Sequence, residues 1–579
     1  MNAMSHILLR TLLLLAASAG LLQASDSAAP LTGATTGEPH LTLKLFSLPD
    51  PRNTSPFNQA ELAVVREFQR RHPTYTLKRF SGIQIEGMAL DSAPLMAIAG
   101  GTAPDVLYVN FRMSDTYISQ GFLIPLDDYL EGRVPGIPVL DGERLAHRVP
   151  EAVWPVIRRE DARGEKHVWA LPNDTMVRAL LYRKDLFAKS GLDPNHPPAN
   201  WDEFLACARK LTNTEARTYG VKLATGPQAA WDFIGFLWSA GGEAVVQDRD
   251  TGRWRACFDS PQAVTALRYY TRLVAERWID NRGKTQNGYV VRGDDYAWAE
   301  GRVGMYMTYI DSRSVGGRGV IDPSIIGVAP LPAGPTGTGG SEINCPMMGI
   351  FAGQKDPMIR RAAYQYIEFI DSEDARRIRT DVMVKLGFAK LLNPIHLRRY
   401  GYTHLLDEAP REWEGVWTKA LSTGKPEPYG RNCQLIYTYM TRPLDEAVEL
   451  EYQGALGADE DEKSRRIADI LRVAVKKTNE QMMGYVAPQD MRFRRIVAFV
   501  AAVFIMAGFC VVLRRVWRIF TPADQAVTGN TSSWGFRRYW QAYVIMLPAV
   551  ASILLWNYAP MGMGSAIAFM DYRLRGGRT

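Results

Sequence analysis

The chain has 579 residues, 46% hydrophobic and 22% charged, too long for one ordinary domain and ample for a buried core. Its net charge of +7 is uneven: from Met491 onward there are eleven Arg, no Lys and two acids, +9, which leaves −2 for residues 1–490. The basic balance belongs to the C-terminal segment, and no nucleic-acid partner is expected from it.

In chain order, His6 and Arg10 precede an apolar run from Leu12 to Ala17, and small residues follow at Ala17-Ser18-Ala19 and Gln23-Ala24. Residues 1–24 therefore read as a secretory signal peptide, with no nearby cysteine to carry a lipid anchor. Residues 25–40, rich in Ser, Ala, Thr, Gly and Pro, read as a flexible lead-in. A globular part is expected over 41–490. Apolar and polar residues alternate from Leu41 to Phe46, as in a half-buried strand, and Leu62, Val65 and Phe68 recur at helical spacing. The alternation returns over 105–110, 178–182 and 325–330 with helical segments between, which predicts an α/β architecture.

Beyond residue 490 the composition changes. Residues 496–513 carry no charge and are bracketed by Arg492, Arg494 and Arg495 and by Arg514, Arg515 and Arg518, predicting a transmembrane helix over 491–515. A connecting loop (516–538) leads to a second transmembrane helix, starting at Tyr539 within the last segment, 539–579; its Pro548 is tolerable in lipid. Arginines on the loop, Arg537 and Arg538 among them, place it in the cytoplasm, so residues 25–490 are expected on the extracytoplasmic side of the cell (inner) membrane. Five widely spaced cysteines form no CxxC pair; two of the first four are open to a disulfide, which the sequence does not assign.

Residues 171–212, LPNDTMVRALLYRKDLFAKSGLDPNHPPANWDEFLACARKLT, join a Leu-Pro entry, an apolar strand ending in Tyr182, a Lys184-Asp185-Leu186-Phe187 turn into a helix, Gly191 as its stop, and a second helix opened by Trp201. This order resembles the extracellular solute-binding protein family 1 of carbohydrate ABC importers. GGTAPDVLYVN (100–110), QGFLIPLDDYL (120–130), WAEGRVGMYMTY (298–309) and IGVAPLPAGPTGTGG (326–340) match in the same order, so the resemblance covers residues 41–485. It implies a two-lobed periplasmic-binding-protein fold with a hinged cleft, one lobe holding 41–170 and 325–385, the other 175–320 and 390–485. Residues 536–572, FRRYWQAYVIMLPAVASILLWNYAPMGMGSAIAFMDY, resemble the start of a carbohydrate ABC importer permease. The chain stops at Thr579 before the rest of such a subunit, which implies a truncated fusion or a separately encoded remainder.

A sugar site needs aromatic faces and fixed polar groups in a concave setting. The resemblance places these at Tyr108, Asn110 and Arg112 after the PDV strand, Asn173 and Asp174 after the Leu-Pro entry, Trp231 and Asp232 in WDFIGFLWSAGG, Tyr309 and Asp311 after GMYM, and Glu342 and Asn344 after the glycine-rich loop. Bland readings stand beside these. Tyr108 equally suits a core, Trp238 shares the helical face of Trp231 and suits packing, and Trp201 suits packing over a helix start. Arg112, Arg178 and Arg313 suit either an anionic sugar or a solvated surface.

The glycine-rich run 334–340 lacks the lysine and Ser/Thr of a phosphate loop, the histidines form no HExxH, and the pairs Asp127-Asp128 and Asp294-Asp295 suit solvated faces better than glycosidase carboxylates. No catalytic residue, cofactor or metal is expected. The reading is a membrane-tethered binding component of an ABC importer, taking a carbohydrate ligand and working with permease subunits and, through them, an ATPase. A sensory receptor domain and, third, a glycan-active enzyme are the alternatives.

Overall fold

A computed structural model describes residues 40–578 apart from 81–91, 141–144, 147, 162, 250–251, 311–321, 410, 486–487, 521–535, 562–571 and 574–576. The signal peptide and most of the lead-in lie outside the described residues, as does Asp311. Strand β1 (Leu41–Leu45) buries Leu43 and Leu45 and exposes the residues between, the period-2 pattern of a sheet covered on one face. It pairs in parallel with β2 (Tyr75–Arg79) and β3 (Val106–Val109), the crossover between β1 and β2 being helix α1 (Pro56–Arg71), capped by Ser55. Helix α2 (Phe111–Ser119) leaves the end of β3.

The chain then forms β4 (Leu171–Pro172) and crosses at 173–175 into β5 (Met176–Arg183), the strand on which the second sheet is built. Helix α3 (Trp201–Leu211), strand β6 (Tyr219–Leu223), helices α4 (Pro227–Ser239) and α5 (Pro261–Ala275), and strands β7 (Val290–Arg292) and β8 (Val303–Tyr309) follow in that order. β8 runs antiparallel to β5, Tyr309 opposite Arg178, and parallel to β6. On the other side of β5 lie β9 (Ile326–Ala329) and β10 (Glu342–Asn344), both antiparallel. The chain re-crosses at 345–346 into β11 (Met347–Ile350), which inserts antiparallel between β3 and β4. Helices α6 (Pro357–Phe369) and α7 (Glu373–Lys385) cover the first sheet and α1. The chain then returns through α8 (Trp413–Thr423) and β12 (Lys425–Pro426), which pairs with β10, and ends this part in α9 (Ile436–Tyr452) and α10 (Glu460–Thr478) against α4 and α5.

The first sheet has the order β2-β1-β3-β11-β4 and the second β7-β6-β8-β5-β10-β12, with β9 also on β5. Residues Val177 to Arg183 of β5 are all buried. Val177, Ala179 and Leu181 enter the core shared with the first sheet, whereas Leu180 and Tyr182 enter the core beneath α3, α4 and α5. A strand buried on both faces needs its near-continuous apolar run. The expected lobe boundaries change: residues 326–344 belong to the second lobe, because β9 and β10 complete the pairing of the eight-residue β5, and the crossing comes only at Cys345 and Pro346, while Tyr402 and Arg399 donate to Asp381 and Glu373 of α7 on the first lobe. All five cysteines are free, so no disulfide joins any of the first four.

After α10, a π-helical turn (Asn479–Met483) buries Met482 and Met483, and the Asn479 side chain accepts from the Ala256 N–H (2.7 Å) and donates to the Ala256 carbonyl (3.1 Å). Helix α11 (Pro488–Phe520) follows closely, and its Arg494 donates to Glu480 at 2.8 Å. Helix α12 (Phe536–Ile553) continues in a π-helical turn over Leu554–Tyr558. Each holds a stretch long and apolar enough to cross a membrane, Met491–Arg515 and Val544–Met561, with none of the apolar window buried. Phe504, Ile505, Phe509 and Ile545 stand exposed on them, a burial deficit that a bilayer would supply.

A candidate binding cleft between the lobes

The site is built around the start of α4. Gly226 caps that helix with φ 61° and Pro227 opens it, so Trp231 and Asp232 lie in its second turn. The glycine-rich loop after β9 crosses α4 so closely that a Cβ on Gly340, itself at φ +62°, would sit 2.2 Å from the Gly235 carbonyl oxygen. That approach delivers β10 beside the helix. Trp231 is half-buried: the Arg178 guanidinium lies 3.6 Å from its ring centroid, and Tyr309 meets it edge to face at 5.5 Å.

Glu342, 0% exposed, joins these groups. Its Oε1 accepts from the Trp231 indole N–H (3.1 Å), the Tyr309 hydroxyl (3.0 Å) and the Asn344 amide (3.3 Å), and that amide also donates to the Tyr309 hydroxyl at 2.8 Å. Its Oε2 faces Arg178 Nε across 3.8 Å without a hydrogen bond. Burial, then repulsion from Glu427, pushes the Glu342 carboxyl up to about 7 against the pull of Arg178. Burial and the same two carboxylates hold the Tyr309 hydroxyl well above the usual phenol range. Asp232 is buried; it accepts from Arg178 Nη2 (2.5 Å) and from the Ala224 N–H (2.7 Å). Five of the expected residues are thus in one network: Trp231 and Tyr309 half-open to the cleft with Asn344, Glu342 behind them, and Asp232 holding Arg178.

On the first lobe, Arg112 reaches across to Glu427 Oε1 at 2.9 Å and lies 5.2 Å from the ring centroid of Tyr437. Asn110 is buried as the cap of α2, accepting from the Met113 N–H at 2.8 Å, and Tyr108 is half-buried, stacked on Phe46 at 5.6 Å. At the crossing, Asn173 donates its backbone N–H to the Pro346 carbonyl (2.7 Å), while its Oδ1 is buried without a partner. Asp174 keeps solvent contact yet lies in the crowded angle between the lobes; that crowding, then the nearby Asp371, pushes its carboxyl up to about 6. Trp238 and Trp201 are buried, the latter stacked on Tyr269 at 4.3 Å. Arg313 lies outside the described residues.

Sequence reasoning missed Glu427 and Tyr437 and the pairing of Arg178. Glu427 arrives beside Glu342 only because Lys425 and Pro426 pair with Glu342 and Ile343, a long-range event with no local signal. A groove of about 570 Å³ on the outer face of the first lobe, lined by Arg66, Arg70 and Arg377, is separate from these residues; Glu67 there engages Arg70 and Arg71. Ligand atoms of Asp161, Glu165 and His167 lie within 4.8 Å of one another. Asp161 already accepts from the Arg163 and Glu165 N–H groups and His167 is engaged by Asp127 at 3.1 Å, so the grouping needs no ion.

Two α/β lobes joined by repeated crossings, with half-open aromatic and polar side chains at their junction, define a two-lobed binding protein of periplasmic type. A family model for bacterial extracellular solute-binding proteins matches residues 53–377, and the chain belongs to that family. It is 26% identical over 377 residues to a relative in Brucella abortus (strain 2308) named as a binding protein, covering 62% of this chain and 78% of that one. In fold it resembles an ABC substrate-binding protein from Listeria monocytogenes in complex with cycloalternan, with TM-score 0.55, 18% identity, 77% of this chain and 100% of that one. The GacH receptor of Streptomyces glaucescens, solved unliganded and with acarbose, matches at TM-score 0.53 and 20% identity over 76% of this chain and 99% of that one.

Proposed function

We propose that this chain is a membrane-tethered component of an ABC importer that binds a mono- or oligosaccharide by lobe closure and delivers it to a permease. The observation that carries this is the half-open Trp231–Tyr309 pair beside Asn344 at the lobe junction, an aromatic face with fixed polar neighbours. Solved proteins of the same fold hold cycloalternan and acarbose, which supports a carbohydrate here. Asn173, Asp174, Tyr108, Asn110, Arg112 and Asp311 complete the candidate lining, and closure is a hinge motion at the crossings. The short connection from Met483 to α11 supports a tether that keeps the binding lobes at the membrane, where weak docking to a permease suffices.

Uptake of a labelled sugar panel by cells lacking the gene, with and without the restored full chain, tests the reading. Uptake that depends on the chain, with sugar bound and recovered unchanged, is the expected result. Binding without any effect on uptake would favour the sensory receptor, and turnover would favour the enzyme. Single cysteines at Ser27 and Thr528, in a background lacking native cysteines, probe the topology: an impermeant reagent should reach Ser27 and not Thr528.

A further inference from the structure

The guanidinium groups that an acidic ligand would need are already covered. Arg178, 2% exposed, donates to Asp232 (2.5 Å), to the Trp231 carbonyl (2.7 Å) and to the Met307 carbonyl (3.3 Å), and Glu342 lies against its Nε. Arg112 donates to Glu427 and, at 3.4 Å, to the Gln434 carbonyl. Lys222, which also faces Asp232, is turned to Asp295 and to the Tyr306 ring. Among the described residues these cations are matched by Asp232, Glu342, Glu427 and Asp295, one carboxylate more than there are cations. One acceptor at the junction, Asn173 Oδ1, is buried without a hydrogen bond, while the fully buried Glu342 Oε2 faces Arg178 Nε. A sugar hydroxyl supplies donors to such a wall, whereas a carboxylate supplies only acceptors and a second negative charge.

We propose that the cleft takes an uncharged, hydroxyl-rich carbohydrate and rejects acidic sugars, and that Glu342 sets this discrimination by covering Arg178 and placing negative charge behind Trp231, Tyr309 and Asn344. The proposal rests on the carbohydrate-binding reading above. Glu342 is a positioning residue: fully buried, it acts through the three side chains that donate to it and through its field. Arg178, Glu427, Trp231, Tyr309 and Asn344 face it, and burial with Glu427 opposes its ionisation. Its charge is present above about pH 7 and lost below, so rejection of acidic sugars strengthens as pH rises through that value.

The test is calorimetry on the full chain in lipid nanodiscs at about pH 6 and about pH 8, on either side of that titration. The probes are glucose, galactose, mannose and maltose beside glucuronate, galacturonate, mannuronate and maltobionate. The expected result is binding of at least one neutral sugar, about tenfold tighter than its acidic counterpart at the higher pH and less so at the lower. In Glu342→Gln the ratio of neutral to acidic affinity should narrow and lose its pH dependence. An acidic sugar bound as tightly as its neutral counterpart, or a folded Glu342→Gln with the wild-type ratio and pH profile, overturns the proposal. Should Glu342→Gln fail to melt cooperatively, the wild-type pH profile decides: a ratio unchanged across the two pH values overturns it. Absence of heat with every sugar, neutral and acidic alike, overturns the carbohydrate reading and this inference with it, a failure distinct from wrong selectivity.

Discussion

The two walls of the cleft commit their polar side chains in different ways. On the second lobe, Trp231, Tyr309 and Asn344 all donate to the buried Glu342, which is in turn set against Arg178 from β5; four separate segments meet there. On the first lobe, Asn110 caps the helix that starts at the next residue, and Tyr108 rests on Phe46, just past the end of the neighbouring strand β1. One wall is a cooperative network; on the other, Asn110 and Tyr108 make local contacts while Arg112 reaches across to Glu427.

The largest expected effect is that of Arg178→Ala, which strands Asp232 and Glu342 as buried carboxylates. Removing one partner of a buried ion pair costs about 3–5 kcal/mol, and thermal and denaturant melts of the full chain should show it. A loss within ~1 kcal/mol would mean that the second wall is not a network. Next is Trp231→Ala, which should weaken binding of any sugar that binds by about 1–3 kcal/mol in a folded protein, read by calorimetry. Tyr108→Ala on the opposite wall should cost less affinity; equal losses would erase the contrast.

Asn110→Ala sharpens the comparison from the other side. Loss of the cap should cost about 1 kcal/mol of stability; a fall in affinity beyond that would keep Asn110 in the candidate lining, and unchanged affinity would remove it. The last effect is a trend with pH. The folded state raises the Glu342 carboxyl from 4.5 to about 7, so on rising pH the unfolded chain releases this proton first. Between those values the folded state binds more protons, and the stability from this group, fully present at the lower end, is lost as pH rises through about 7. Glu342→Gln should flatten that component of the melting profile; an unchanged slope would show that the carboxyl titrates where ordinary carboxylates do.

Much of this was legible locally. Alternation from Leu41 to Leu45 became β1, the run before Lys184 became β5, and Trp201, followed by acids, opened α3 behind its Asn200 cap. The uncharged stretch between arginines became α11, its apolar side chains unburied. Of the candidate site, Trp231, Tyr309, Glu342 and Asn344 were named from family-like positions and the fold brings them together, but nothing nearby in sequence says that one carboxylate holds the other three.

What the sequence by itself determined is therefore periodic or compositional: strands and helices, the α/β class, the membrane-length helices and the segments that flank a cleft. Such features repeat every two or 3.6 residues and need no distant partner to be read. Only the tertiary structure decided that residues 326–344 complete the second sheet, that Arg178 is neutralised within it, and that Glu427 comes beside Glu342 through the pairing of β12 with β10. Those contacts join residues tens to hundreds of positions apart, and burial, which raises the Glu342 carboxyl and leaves Asn173 Oδ1 without a partner, is a property of the packed whole.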